Sequence, residues 1–220
     1  MELAIQARML VLSPMLGYAS ALLAHESASA GTHDEPALAR LMERYAAGDA
    51  SAFDALYAAL SPRLFGYLLR LIGDRAAAED ALQQTFIRLH EARGAYVRGA
   101  DPAPWLFTIA HRVALDELRR RKRARVRLAH EGERLPDPRA EMDGSKEGAA
   151  PDAPDERIQV TLELLQKLPE QQRAALVLTK LEGRSLAEAA AISGTTTTAI
   201  KLRAHRAYVR LRELMGKKSS

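Results

Sequence analysis

The chain has no cysteine, few aromatic residues and no long uninterrupted apolar run, and each absence removes a class of protein. Zero cysteines among 220 residues exclude a disulfide scaffold, a thiol nucleophile and cysteine-ligated zinc, and fit a reducing compartment. Only 5% of the residues are aromatic, and segments dense in Val, Ile and Thr are missing, so the expected fold class is all-α. No glycine-rich phosphate loop is present, and the six histidines are scattered rather than spaced as metal ligands. An enzyme is therefore not expected, and neither a cofactor, a metal nor a small-molecule substrate.

The one extended uncharged stretch is Met9 to Ala24. Arg8 before it and His25-Glu26-Ser27-Ala28-Ser29-Ala30 after it loosely imitate a signal peptide. Ser13, Pro14 and Gly17 interrupt it, Glu2 balances the lone Arg8, and the run is too short for a membrane span. Residues 1–34 read as a poorly ordered extension or the product of a misassigned start codon, with a targeting signal as the weaker alternative.

Charge is present and segregated. The net +4 of the whole chain conceals a contribution of −2 from residues 1–34 and −6 from residues 131–156, where nine acidic groups face three basic ones. The remainder carries +12. Positive modules on a negative tether form the electrostatic footprint of a nucleic-acid binder.

Residues 185–215 read as a helix, a tight turn and a basic second helix. Counting from Leu186, Ala190 stands fifth, Gly194 ninth and Ile200 fifteenth. These are the positions where a helix-turn-helix needs close helix approach, a positive φ and a core anchor. One of Thr195 to Thr198 can cap the second helix. Ile200, Ala204, Ala207, Tyr208, Leu211 and Met215 recur at three-and-four spacing and are expected inside, leaving Lys201, Arg203, His205, Arg206 and Arg210 for solvent or DNA.

Upstream, a short helix over 36–47 is expected to end at Gly48, with Asp49 capping a long helix whose stripe runs from Phe53 to Ile72. Pro62 is expected to kink or divide it. Gly73-Asp74 ends that helix and starts another, with Ala78, Ala81, Leu82, Thr85, Phe86 and Leu89 inside and a row of carboxylates and amides outside. Such a row suits a docking face and equally a solvated surface. The helix starting at Pro104-Trp105 is apolar at Leu106, Ile109, Ala110, Val113, Ala114 and Leu118. Seven of the nine residues from Arg119 to Arg127 are Arg or Lys, a density that suggests phosphate binding. Trp105 suits either the core or base stacking.

AEDALQQTFIRLHEA and PWLFTIAHRVALDELRRRKR, followed by LPEQQRAALVLTKLEGRSLAEAAAISGTTTTAIKLRAHRAYVRLREL, resemble the sigma-70 family of bacterial transcription initiation factors, in its extracytoplasmic-function group. The resemblance implies a sigma-2 helical bundle at 35–127, an acidic linker at 128–154, a sigma-4 helix-turn-helix domain at 155–216 and a tail at 217–220. It implies binding to core RNA polymerase through Asp80, Gln83, Gln84, Phe86 and Arg88. Trp105, Arg112, Asp116, Arg119, Arg120 and Arg123 would read and melt the minus-ten element. Thr197, Thr198, Lys201, Arg203, His205 and Arg206 would read the minus-35 element. An anti-sigma partner and a cytoplasmic location, or retention at the inner membrane by that partner, are further implications. The chain departs from the family pattern at Gln84 (often Glu), His90 (often Trp) and His111-Arg112 (often Arg-Asn).

The tether sets a geometric condition. A free coil of about 24 residues separates its ends by only about 27 Å, against about 80 Å fully extended. Promoter elements one and a half to two helical turns apart are about 50–70 Å distant. The free protein is therefore expected to be compact, with the acidic tether over the basic helices and core polymerase opening it. A dimeric repressor using the same helix-turn-helix is the main rival, but it leaves residues 74–127 without a role.

Overall fold

The computed structural model describes residues 35–130 and 156–216. The expectations for residues 1–34, for residues 131–154 of the acidic linker and for the tail at 217–220 lie outside them. The described residues hold eight α-helices: α1 (Glu35–Ala46), α2 (Ser51–Ile72), α3 (Arg75–Ala92), α4 (Pro102–His130), α5 (Glu156–Gln166), α6 (Glu170–Leu176), α7 (Leu186–Ser193) and α8 (Thr197–Gly216), with a short 3-10 turn at Arg93–Ala95 and a π-helical turn at Val177–Leu181. Among them there is no strand, as the composition predicts.

Local chemistry sets the boundaries. The Asp49 carboxylate accepts from the Ser51 backbone N–H at 3.0 Å and from the Ser51 hydroxyl at 2.6 Å, closing the turn ahead of α2. Gly73, at φ +80°, ends α2 in the left-handed conformation, and its N–H bonds to the Leu69 carbonyl. Asp74 then caps α3 by accepting from the Ala77 N–H at 2.8 Å, the stop-and-start that Gly73-Asp74 predicts.

Of the two effects expected of Pro62, a kink or a division of the helix, the division does not occur. The helix runs unbroken from Ser51 to Ile72 with Pro62 inside it. Leu56 and Leu60 before the proline and Leu64, Tyr67, Leu68 and Leu71 after it are all 0–1% exposed. At roughly 1.5–3 kcal/mol per fully buried apolar side chain, they outweigh the roughly 3 kcal/mol cost of an interior proline.

All six inward positions predicted on α3 are buried, and Ala77 joins them. On α4 the apolar face includes Phe107, fully buried and absent from the expected set. Its ring meets Tyr67 at a centroid distance of 5.3 Å. Helix α4 also runs on to His130, into sequence expected to belong to the tether.

Two histidines, His111 buried and His90 half-buried, are structural. His90 Nδ1 pairs with the Tyr45 hydroxyl at 2.7 Å, and His111 Nδ1 pairs with the Tyr67 hydroxyl at 2.7 Å. These partnerships give a physical account of two departures from the family pattern. Side chains of α5 to α8, including Leu165, Ala175, Ile192 and Ala207, join the same continuous buried cluster as α1 to α4.

Burial, assisted by the charge of Arg112, lowers the His111 pKa to about 4. The folded state thus binds this proton less tightly than the unfolded chain does. Its contribution is complete above pH 6.5 and is lost as pH falls toward 4, reaching about 2 kcal/mol by pH 5 at about 1.4 kcal/mol per pH unit. We expect His111→Gln to lose about 2 kcal/mol less than the wild type between pH 7.5 and pH 5, measured by urea denaturation at both pH values.

Candidate nucleic-acid interface

The helix-turn-helix is α7, Gly194 to Thr196, and α8. Ser185 and Glu188 form a reciprocal capping box at the start of α7, a signal visible as S-x-x-E and missing from the sequence reading. Ala190 is 5% exposed and Ile200 1%. Gly194 adopts φ +60°. All three constrained positions therefore behave as their spacing predicts. Of the four threonines, Thr196 is the cap: its hydroxyl accepts from the Ala199 N–H at 3.2 Å.

Thr197, Thr198, Lys201, His205 and Arg206 are exposed along α8, whereas Arg203 is half-buried. The α-helical advance of about 100° per residue turns Arg203 toward the core side while Thr197, Lys201 and His205 share a face. The same geometry corrects two expectations. Tyr208 and Met215 stand seven and fourteen residues beyond Lys201, on its line, and are 61% and 50% exposed rather than inside.

On α4, Trp105, Arg112, Arg119 and Arg123 are spaced by seven, seven and four residues and so fall along one line. The three arginines are exposed, and Trp105 is half-buried against Tyr96 at a centroid distance of 5.8 Å. The basic run is partly neutralised from within. Arg120 pairs with Glu117 at 2.7 Å, Arg121 with Glu117 and with Asp74 at 2.8 Å each, and Arg119 with Asp116 at 3.5 Å. The hydrogen bond from Arg120 is the main cause holding the Glu117 carboxyl below the usual range. Lys122, Arg123, Arg125 and Arg127 remain exposed. The density therefore does permit local pairing, because carboxylates three and four residues back lie on the same helix face.

A groove between α3 and α4 is lined by Asp80, Gln83, Gln84, Arg88, Asp116, Glu117 and Arg120. Arg88 reaches Asp116 at 3.3 Å. The structure thus brings Asp116 and Arg120, expected on the DNA side, beside the residues expected to meet polymerase. Phe86 is not on this surface. It is 0% exposed and packs on Tyr57 and Phe53 at centroid distances of 4.7 and 5.9 Å, so it supports the face from beneath.

Residues 56–124 match sigma-70 region 2 and residues 158–211 match sigma-70 region 4. The chain is 39% identical over 176 residues to the RNA polymerase sigma factor CarQ of Myxococcus xanthus, covering 80% of this chain and 95% of that protein. The chain belongs to the sigma-70 family. It is also 31% identical to the ECF RNA polymerase sigma factor SigM of Mycobacterium tuberculosis over 204 residues, 92% of this chain and 94% of that one. Its structure is similar to the sigma factor RpoE of Bartonella quintana in complex with the anti-sigma factor NepR, with a TM-score of 0.60 and 26% identity over 74% of this chain and 96% of that one.

The protein is accordingly an extracytoplasmic-function transcription initiation factor, which binds core RNA polymerase and directs it to specific promoters. Its relatives are transcription factors rather than enzymes. No described helix is long and apolar enough to cross a membrane.

The sequence reading missed a further group of contacts in this sigma factor: Arg63, Arg70, Gln166 and Glu182, which join regions more than ninety residues apart. No periodicity or motif marks them, since each is an ordinary polar residue until the chain is folded.

The helix-turn-helix depends on its backbone punctuation. We expect Ser185→Ala and Thr196→Ala each to cost about 1 kcal/mol, the usual loss for a helix cap, and Gly194→Ala to cost about 1–2 kcal/mol for a left-handed residue carrying a Cβ. Thermal melting of the three variants checks these values, and the helix content of the folded proteins is expected to stay the same.

Proposed function

We propose that the two exposed basic lines of this sigma factor divide promoter recognition between them. The line of Trp105, Arg112, Arg119 and Arg123 on α4 takes the minus-ten element. The face of Thr197, Thr198, Lys201 and His205, with Arg206 beside it, takes the minus-35 element in the major groove. The observation that carries this reading is the exposure of both lines on separate helices, each held from behind by buried apolar residues. Residues 35–127 and 155–216 are the two working modules, and residues 128–154 their tether.

No bond is made or broken by this chain. Stacking and phosphate contacts to an extruded strand offset the few kcal/mol, roughly, needed to unpair each flipped base. Trp105 can contribute by stacking, and the arginines by phosphate contact. Asp80, Gln83, Gln84 and Arg88 present the polar face that docks on core polymerase, with Asp116 and Arg120 at its edge. Phe86 keeps that face rigid. An anti-sigma factor is a further partner, supported by the likeness to a sigma factor solved with one. It would hold the protein in the cytoplasm, at the inner membrane where the anti-sigma factor is itself anchored.

Run-off transcription with purified core polymerase on genomic fragments tests the assignment, and promoter-specific transcripts that depend on this chain are expected. Arg123→Ala should weaken promoter binding evenly across sequences and reduce the salt slope of log K by about one, as a phosphate contact does. Lys201→Ala should cost about 1–3 kcal/mol and relax preference at one minus-35 position, as a base contact does. Equal losses for both variants on every promoter would remove the division of roles.

A further inference from the structure

Helix α4 carries seven cations between Arg119 and Arg127, and they are not equally free. Glu117 holds both prongs of one of them. Its Oε2 accepts from Arg120 Nε at 2.7 Å and its Oε1 from Arg120 Nη2 at 2.8 Å. The same Oε1 accepts from Arg121 Nε at 2.8 Å. Arg121 Nη2 donates to Asp74 Oδ1, also at 2.8 Å, and that oxygen already caps α3 through the Ala77 N–H. Asp80 of α3 attracts Arg120 from the same side. The Glu117 side chain is 15% exposed and that of Arg120 74%. The acid is thus fixed in the wall between α3 and α4, and it tethers a base that otherwise extends into water.

Helical phase gives this pull a direction. At about 100° per residue, Arg119 and Arg123 stand within about 20° of Arg112, on the line proposed to meet the minus-ten element. Arg120 starts about 80° round from Arg112, and Glu117 about 140° round in the same sense. The fork therefore turns the Arg120 guanidinium away from the line and toward α3. Arg119 is held differently. Its contact to Asp116 is 3.5 Å long, and Asp116 is shared with Arg88. A two-pronged carboxylate occupies the donors that take a phosphate bidentately, whereas one contact of that length leaves them open.

A basic helix meets two kinds of DNA. On random duplex it has no fixed register, so any unrestrained cation can displace a counterion and add affinity. On a promoter the line fixes the phase of the helix, and a cation nearly a quarter-turn away adds little. Restraint of Arg120 thus weakens binding to bulk DNA more than binding to the promoter. Selectivity needs that difference, because competing sites far outnumber the target.

We propose that Glu117 is a specificity-determining residue of this sigma factor: by clamping Arg120 against α3 it withholds one phosphate contact from non-promoter DNA. Glu117 meets no DNA itself and acts as a positioning residue. The promoter half of this inference rests on the minus-ten reading of α4 above, and the restraint of Arg120 can be tested without it.

Fluorescence anisotropy of the full chain alone on a scrambled duplex, across a salt series, reads the restraint. Glu117→Gln keeps the shape of the side chain and removes its charge. It should raise affinity for the scrambled duplex about two- to fivefold, as release of one ion pair allows. The slope of log K against log salt should steepen by about 0.9, one added phosphate contact. In an Arg120→Gln background the same change should steepen it by less than about 0.3, whereas a general effect of the lost charge acts with or without Arg120. Should Glu117→Gln lose helix by far-UV circular dichroism, Arg120→Gln at its exposed position decides. A slope within about 0.3 of the unaltered chain is then expected, and a fall of about 0.9 shows Arg120 already on phosphate and overturns the restraint. With core polymerase saturating each variant, Glu117→Gln should lower the ratio of promoter to scrambled affinity about two- to fivefold. An unchanged slope in Glu117→Gln, or equal steepening with and without Arg120, overturns the restraint. A steeper slope with an unchanged ratio overturns the role in specificity. No promoter preference in the unaltered complex overturns the proposed function, and the scrambled-duplex slopes still decide whether Glu117 withholds Arg120.

Discussion

The apolar stripe of α2 is the constraint on which the rest of the molecule depends. Helices α1, α3, α4, α5 and α6 and the turn after α6 all pack against this one helix. Its buried Leu56, Leu60, Leu64, Tyr67, Leu68 and Leu71 bind helix α3 and the basic helix α4 into one body. The other side of α2 presents Arg63 and Arg70 to region 4. A single helix thus supports the basic helix α4 and holds the region 4 module beside it. Interior packing of this kind transmits position because it leaves few voids for adjustment.

Electrostatics acts at two depths. Exposed guanidiniums on α4 and α8 stay hydrated and can meet phosphates, releasing counterions as they do. Arg63 and Arg70 beside Glu182 are partly shielded from water, and Arg184, nearly buried, pairs with Glu188 and lies over the Phe107 ring. The same residue type therefore faces solvent on one surface and packs between helices on another. Within α4 the acids Asp116 and Glu117 hold Arg119, Arg120 and Arg121 in place. Part of a positive surface is thereby ordered at the cost of some net charge.

Much of the fold was legible before folding because helix periodicity and caps are local. Gly73-Asp74, the interior face of α3, and Ala190, Gly194 and Ile200 all followed from spacing alone. The errors share a physical origin. Pro62 was expected to kink or divide α2, and the division does not occur because the apolar contacts on both sides of it, which hold the helix together, are tertiary. Tyr208 and Met215 were placed inside because their three-and-four spacing continues the series from Ile200, whereas their helical phase also puts them on the Lys201 line, where they are exposed. Phe86 was placed at an interface by its position in a motif, although its buried ring lies among Phe53 and Tyr57.

The order of residues by itself determined an all-helical chain, a helix-turn-helix with its three steric positions, a basic helix after Trp105 and a negative tether, because propensity, capping and charge act over a few residues. Only the tertiary structure decided which arginines stay in water, which acids restrain them, and that Glu182 meets Arg63 and Arg70 across more than a hundred residues. Contacts so distant leave no pattern in a linear sequence. They arise when buried surfaces from two segments coincide in space and water is removed from the charges between them.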